Sequence, residues 1–352
     1  MTRQKKLNLH EQINENLRSK LAIGQSKHED KKKNATSDKI YSWSTYHSYK
    51  KHSFEFVTWA RNNEKITQQL GRKARTLEEL RPFVKEWLEG EISRGMASHT
   101  VHLKASALAK LYGCSTPDFG AELPARHRSN IKRSRTEAKR DAHFSEKKNA
   151  DLVMFCKCAG LRRAELTQIR GEDLVQGKDG NFYLNVTRDT KGGRPRIAQL
   201  FGTPEEIERI KEIFQSKGKE KVFPHVSGAA DIHSYRSIYA CKIYKSAARN
   251  LNEYKDERMI ICNNRIVEIY NVTNVRGPDR SKTQYYDFTR KDRNGDVAMK
   301  EGYKDVSSVY VCRRDQAKVY YDRQAMFVTS QALGHNREDV IAGNYLYNLD
   351  KV

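Results

Sequence analysis

LGHNREDVIAGNYLY, residues 333–347, sets a Leu-Gly-His triplet ahead of two tyrosines, which lie ten and twelve positions past the histidine. Gly334 suits the end of one helix, because glycine takes a positive φ at little cost. Asn336 is placed to cap a following helix, with Asp339 three residues on, and that second helix is expected to carry Tyr345. Taken alone, such a tyrosine reads as a core or interface aromatic. On a helix Tyr345 and Tyr347 would point about 200° apart, so only one of them could face a given ligand.

Working outward, other polar residues interrupt good core patterns in the same half of the chain. GLRRAEL (160–166) puts Arg162 and Glu165 one helical turn apart behind a glycine break, and such a pair is usually a surface salt bridge. TKGGRPR (190–196) puts Lys191 at the tip of a β-hairpin with Arg194 and Arg196 beside it, where charge often serves only solubility. HSYR (233–236) puts His233 and Arg236 on one helix face that Ala240 and Ile243 continue. Each signal is weak on its own.

Composition narrows the partner. The chain has 352 residues, with 66 Lys and Arg against 44 Asp and Glu, a formal charge of +22. Such an excess favours a polyanion, since each phosphate neutralised by a basic side chain releases a condensed counterion. No run of 18 apolar residues and no signal-peptide pattern is visible, so a soluble, cytoplasmic protein without a membrane partner is expected. The six cysteines form no CxxC pair, which argues against a zinc ribbon or a disulfide framework. No acidic cluster for two-metal hydrolysis and no GxxxxGK[ST] loop occurs, so no metal or other cofactor is expected.

The chain divides by pattern. Residues 1–37 are polar and read as an arm or a short helix. Residues 38–118 read as a compact helical domain: Tyr46, Tyr49, Phe56, Val57 and Ala60 recur at helical spacing behind a Ser44 or Thr45 cap. Leu80, Phe83, Val84, Trp87, Leu88 and Ile92 form one stripe, and a helix after Ser98 turns Val101, Ala105, Leu108 and Tyr112 inward. Residues 119–142 are a basic linker or a strap along a phosphate backbone. Residues 143–352 mix helices with a hairpin over Phe182, Leu184 and Val186. The fold class is therefore multidomain and mainly α, with a small β-hairpin or sheet in the C-terminal domain (α+β).

The order of the weak signals is more specific than any one of them. Arg, then Lys on a hairpin, then HxxR, then LGH, then Tyr resembles the tyrosine recombinase/integrase family along its catalytic domain. GLRRAEL, TKGGRPR, HSYR and LGHNREDVIAGNYL carry the resemblance over about 145–352, and the helical domain looks like that family's core-binding domain. The resemblance implies strand breakage and rejoining of double-stranded DNA, by a homotetramer on synapsed sites, with an accessory DNA-bending protein in some systems and a bacterial, nucleoid-associated setting. It implies Arg162 and Arg236 on the non-bridging oxygens, His233 and His335 beside the scissile phosphate, and Lys191 protonating the departing 5′ oxygen. Glu165 would orient the first arginine, and Tyr345 would form a 3′-phosphotyrosyl link, its distance from His335 being one the family uses. Arg163, Arg194, Lys104 and Arg128 are expected DNA-backbone contacts.

The chain departs from the family pattern twice. Arg236 and His335 stand 99 residues apart, where many relatives have a short helical connection, so an insert at about 250–320 is expected to contact DNA or a neighbouring protomer. Only LYNLDKV follows Tyr345, where many relatives have a longer tail. Two other readings stay open: a DNA-binding protein that keeps the fold without the reaction, and a type IB topoisomerase or telomere resolvase. They part by product, since only recombination exchanges strands.

Overall fold

The computed structural model describes residues 7–34, 38–127, 143–190, 195–272, 283–314, 317–335, 337–347 and 349–351. The chain forms two compact units, Met1–Asn130 and Ile131–Val352. Among the described residues no helix is long and apolar enough to cross a membrane.

The first unit is helical: α1 (Leu9–Ser19), α2 (Lys27–Lys32), α3 (Trp43–Asn62), α4 (Glu64–Leu70), α5 (Leu77–Leu80), α6 (Val84–Ser93) and α7 (Ser98–Tyr112). An Asn8/Glu11 capping box starts α1, and Leu9, Ile13 and Leu17 turn one face into the same core as Phe56, Trp87 and Leu108. Burying those three is worth about 1.5–3 kcal/mol each. That holds in place a helix too short to persist alone. The first unit therefore begins well before residue 38, and α1 is part of its core. Ser42 caps α3 through Thr45 N–H, two positions before Ser44 and three before Thr45, the expected caps. The Leu80–Ile92 stripe is interrupted by a 3₁₀ turn at Arg81–Phe83, where Pro82 removes a backbone donor.

The second unit opens with α8 (Ala150–Ala159), which ends at Gly160 with φ 57°, and the single turn α9 (Arg163–Leu166). A three-stranded antiparallel sheet follows in the order β1 (Leu174–Gln176), β2 (Phe182–Val186), β3 (Arg196–Gln199). Lys191 and Arg194, between β2 and β3 in sequence, lie outside the described residues, as does Arg128. Helices α10 (Pro204–Lys217), α11 (Ile232–Ala247) and α12 (Leu251–Tyr254) come next. The α11 helix is buried along most of its length and packs on α8 and on α13 (Arg323–Leu333), which α14 (Glu338–Asn344) follows.

The insert is rich in strand. It has β4 (Glu257–Cys262), β5 (Arg265–Asn271), β6 (Tyr286–Lys291), β7 (Val297–Met299), β8 (Tyr303–Ser307), β9 (Val309–Arg314) and β10 (Ala317–Asp322). These pair as a β5-β4-β8 sheet and two hairpins, β6-β7 and β9-β10. It also shares core with the helices: Met259 and Ile261 of β4 pack with Phe327 of α13. Arg249, just after α11, bridges Glu257 of β4 at 2.9 Å and the buried Asp322 at 2.8 Å. The insert is thus braced against the helices.

Candidate active site

Helix ends leave carbonyls without partners, and the C-terminus of α13 is where the candidate residues meet. Gly334, at φ 65°, turns the chain sharply, and His335 N–H reaches back to Ser330 C=O at 2.9 Å. The end of α13 then offers the Leu333 and Gly334 carbonyls. Arg162 donates to both, at 3.3 and 3.5 Å, and Arg236 donates to Leu333 as well.

Arg236 is fully buried. Its guanidinium donates to the carbonyls of Gly160 and Leu333, to Tyr345 Oη from Nε at 3.2 Å, and to His335 Nε2 from Nη2 at 3.3 Å. None of these partners is a carboxylate. Burial, followed by the charges of Arg162 and Arg196, outweighs Tyr345 and pulls the guanidinium down to about 10. A buried cation satisfied by dipoles but not by a carboxylate favours an incoming anion.

His335 Nε2 lies 2.9 Å from Tyr345 Oη. A guanidinium only donates, so Nε2 accepts from Arg236 and the ring proton belongs on Nδ1, an assignment made from the hydrogen bonds. Tyr345 Oη then accepts from Arg236 Nε and donates to the same Nε2, whose single lone pair is shared between the short Tyr345 bond and the longer Arg236 contact. The tyrosine's own carbonyl accepts from Ser237 Oγ at 2.6 Å and Cys241 Sγ at 3.5 Å, two residues one turn apart on α11. Tyr345 is 5 % exposed.

The α14 helix ends at Asn344, so Tyr345 stands just outside it as a cap. This corrects the expectation of a helix carrying both tyrosines, and the 200° argument against Tyr347 no longer applies. Gly343 and Asn344 are poor helix formers, and Ser237 and Arg236 draw Tyr345 into the core. Arg337 occupies the cap position of α14, and Asn336, expected there, lies outside the described residues.

Glu165 is buried and accepts four charge-assisted bonds, from Arg162 N–H at 2.7 Å, Arg162 Nη1 at 2.8 Å, and Arg196 Nη1 and Nη2 at 2.7 and 2.8 Å. Burial alone would raise its carboxyl, but Arg196 foremost and Arg162 hold it at about 2. It is therefore an anion at any working pH, shared by two arginines.

Beside this cluster opens a pocket of about 260 Å³ lined by Arg162, Arg163, Gly228, Asp231, His233 and Arg236 among others. His233 is exposed at its mouth; the surrounding protein first, and Arg236 next, push its imidazole below the ordinary value of 6.5. Arg163 donates to the carbonyls of Val226 at 3.2 Å, Ser227, Gly228 at 3.5 Å and Ala230, so it pins the 226–230 loop. Among the described residues no group of three or more His, Cys, Asp and Glu is placed to hold a metal ion.

The structure brings Arg162, Glu165, Arg236, His335 and Tyr345 together, with His233 at the pocket's edge. Lys104 stands elsewhere, in the first unit, and it is not the phosphate contact expected of it. It is buried between Glu91 at 2.7 Å and Glu55 at 3.1 Å, with its ammonium 4.9 Å from the centre of the Trp87 ring. Sequence reading also gave no site role to Arg196, read there only as hairpin-tip charge, or to Ser237 and Cys241. Strand alternation carried a signal for the first: Ala198 faces inward, so Arg196 two positions earlier does too.

No family model matches the sequence, and no curated protein does. Among solved structures, a Tn1549 transposon integrase (residues 82–397) in complex with circular intermediate DNA matches with a TM-score of 0.34 and 10% identity, over 70% of this chain and 90% of that chain. Likeness at that level carries no weight for the site, whose chemistry stands on its own geometry.

Proposed function

We propose that the protein is a site-specific DNA recombinase of the tyrosine type, breaking and rejoining strands of a mobile element through a covalent phosphotyrosine. The observation that carries this reading is the placement of Tyr345 Oη within hydrogen-bond reach of both Arg236 Nε and His335 Nε2 of the same chain. The ordered motifs GLRRAEL, TKGGRPR, HSYR and LGH…Y support it.

In the forward step Tyr345 Oη attacks phosphorus and its proton passes to His335 Nε2, already the acceptor of that bond. Charge growing on the non-bridging oxygens is met by Arg162 and Arg236, which stay cationic and act as planar donors. The P–O5′ bond breaks, and the 5′ oxygen takes a proton, a task the family resemblance gives to Lys191. The 3′-phosphotyrosyl ester keeps the bond energy, so a 5′-hydroxyl from another strand reverses the step. Assembly as a tetramer on two duplexes belongs to the same proposal.

The test is adduct formation on nicked duplexes tiled from DNA flanking the protein's own gene, with wild type, Tyr345→Phe and Tyr347→Phe. An SDS-resistant protein–DNA species lost only in Tyr345→Phe is the expected result. Tight binding by wild type with no adduct on any duplex would put the binding-only reading ahead. Strand exchange between two labelled duplexes, as opposed to relaxation alone or hairpin ends, separates recombinase from topoisomerase and resolvase.

A further inference from the structure

We propose that Arg196 is a positioning residue that aims Arg162 at the scissile phosphate by occupying both oxygens of Glu165, an inference that rests on the phosphoryl-transfer reading above. Arg196 opens β3 and pairs with Val186 of β2. Its side chain is 7 % exposed and that of Glu165 is 0 % exposed. The two meet in a fork, Nη1 to Oε1 and Nη2 to Oε2.

The fork decides what Arg162 does. A lone buried carboxylate next to one arginine draws that guanidinium into a two-pronged pair of its own. With Arg196 seated, each Glu165 oxygen already has one strong donor. Arg162 gives the carboxylate Nη1 alone and directs Nη2 to the end of α13, while its side chain lines the anion pocket. Two guanidiniums thereby share one carboxylate, and the surplus positive charge is carried to the pocket by Arg162, which lines it with Arg236.

Arg196 also touches the other half of the site. A Cβ on Gly334 would stand 2.6 Å from Arg196 Cδ, so the arginine's stem lies directly under the residue that precedes His335. One side chain on the hairpin thus sets both the first arginine and the turn into His335. A lysine could not replace it, because an ammonium is a point donor and would leave one Glu165 oxygen short.

The test compares full-length wild type with Arg196→Met, which keeps the stem under Gly334, and Arg196→Lys, which also keeps the charge. Single-turnover adduct formation is measured on the nicked duplex that supports it, with a phosphodiester or a methylphosphonate at the reacting position. The methylphosphonate lacks the oxyanion charge that Arg162 neutralises. Arg196→Met is expected to lose about 100-fold on the phosphodiester but no more than about 5-fold on the methylphosphonate, with DNA affinity within about 2-fold of wild type. Arg196→Lys shows the same pattern at smaller amplitude, and it decides the matter if the Met variant fails to fold.

Equal losses on both substrates, or full activity, overturn the proposal. If wild type itself makes no adduct on either substrate, the functional reading fails. Positioning is then judged by hydrogen exchange at the Arg162 amide, which donates to Glu165: faster exchange in both variants keeps it, and unchanged protection overturns it.

Discussion

Two buried cations in this chain have opposite surroundings. Lys104, in the first unit, lies between the carboxylates of Glu91 and Glu55, which are themselves bound by Arg94 at 2.8 Å and His52 at 2.9 Å. Arg236, in the second unit, is more deeply buried, yet its partners among the described residues are two carbonyls, a phenol and an imidazole. The first cluster closes on itself in charge. The second leaves a positive charge that only an anion from outside would complete. Burial of a charged group is therefore not evidence of function by itself; what separates these two cations is the charge of their partners.

Substituting each cation is the strongest way to break that comparison. Arg236→Met is expected to slow adduct formation by at least about 10³-fold at saturating DNA, while unfolding free energy drops by only about 1–2 kcal/mol, the cost of carbonyls left short of donors. Lys104→Met should do the reverse. It leaves Glu91 with Arg94 and Glu55 with His52 and costs about 3 kcal/mol, with the single-turnover rate of the folded fraction unchanged. Adding Glu91→Leu to Lys104→Met should return a large part of the loss. Denaturant titrations and single-turnover rates on the same samples check all three, and a rate defect in Lys104→Met would end the contrast.

A smaller effect tests how rigid the Arg236 seat is. Gly160 has φ 57°, and a Cβ there would lie 2.2 Å from the Tyr239 ring, while its carbonyl accepts from Arg236. Gly160→Ala combines left-handed strain with overpacking, together about 2–4 kcal/mol. Because Tyr239 Oη also holds Gln199 C=O at 2.7 Å, the strain reaches β3 as well as α11. Loss of thermal stability together with a slower adduct rate is expected; a stable variant with a normal rate would mean that the seat gives way easily.

How far the sequence foretold these regions depends on what kind of signal each left. Helix α11 and the β2-β3 hairpin were legible because period and turn chemistry agree along them, and Arg162, Glu165, Arg236, His335 and Tyr345, which the structure brings together, stand out in the sequence as an ordered set of motifs. Lys104 was misread although its spacing held the answer: it lies three residues after Val101 and four before Leu108, on the inward face of α7. A charge at such a position implies buried partners, and those come from α3 and α6, far away in sequence. Arg196 was hidden in the same way, since a hairpin tip looks solvated until its returning strand is aligned with Glu165. The end of α14 was missed because tertiary bonds from α11, not a local stop signal alone, hold Tyr345 out of the helix. Long-range charge pairing is what a single sequence left unread.

The mildest prediction sharpens the contrast at the pocket mouth. His233 is held below 6.5 by the protein packed around it and then by Arg236, with Asp231 opposing and Arg162 and Arg163 adding to the effect. A folded value below the unfolded one means that its contribution to stability is complete above the ordinary value and is lost as pH falls through the folded value. A bound phosphate would offset the neighbouring arginines and raise the imidazole, so binding takes up a proton. The free protein should therefore lose stability towards acid in the same window in which phosphate binding tightens. At fixed salt, DNA affinity should strengthen on the order of 3-fold as pH falls from about 7.5 to about 5.5, and His233→Gln should flatten that slope. The Lys104 cluster gives no such gain, because its charges are already paired. If the slope is the same in His233→Gln as in wild type, the imidazole does not face the bound phosphate, and the anion is held by Arg162 and Arg236 without it.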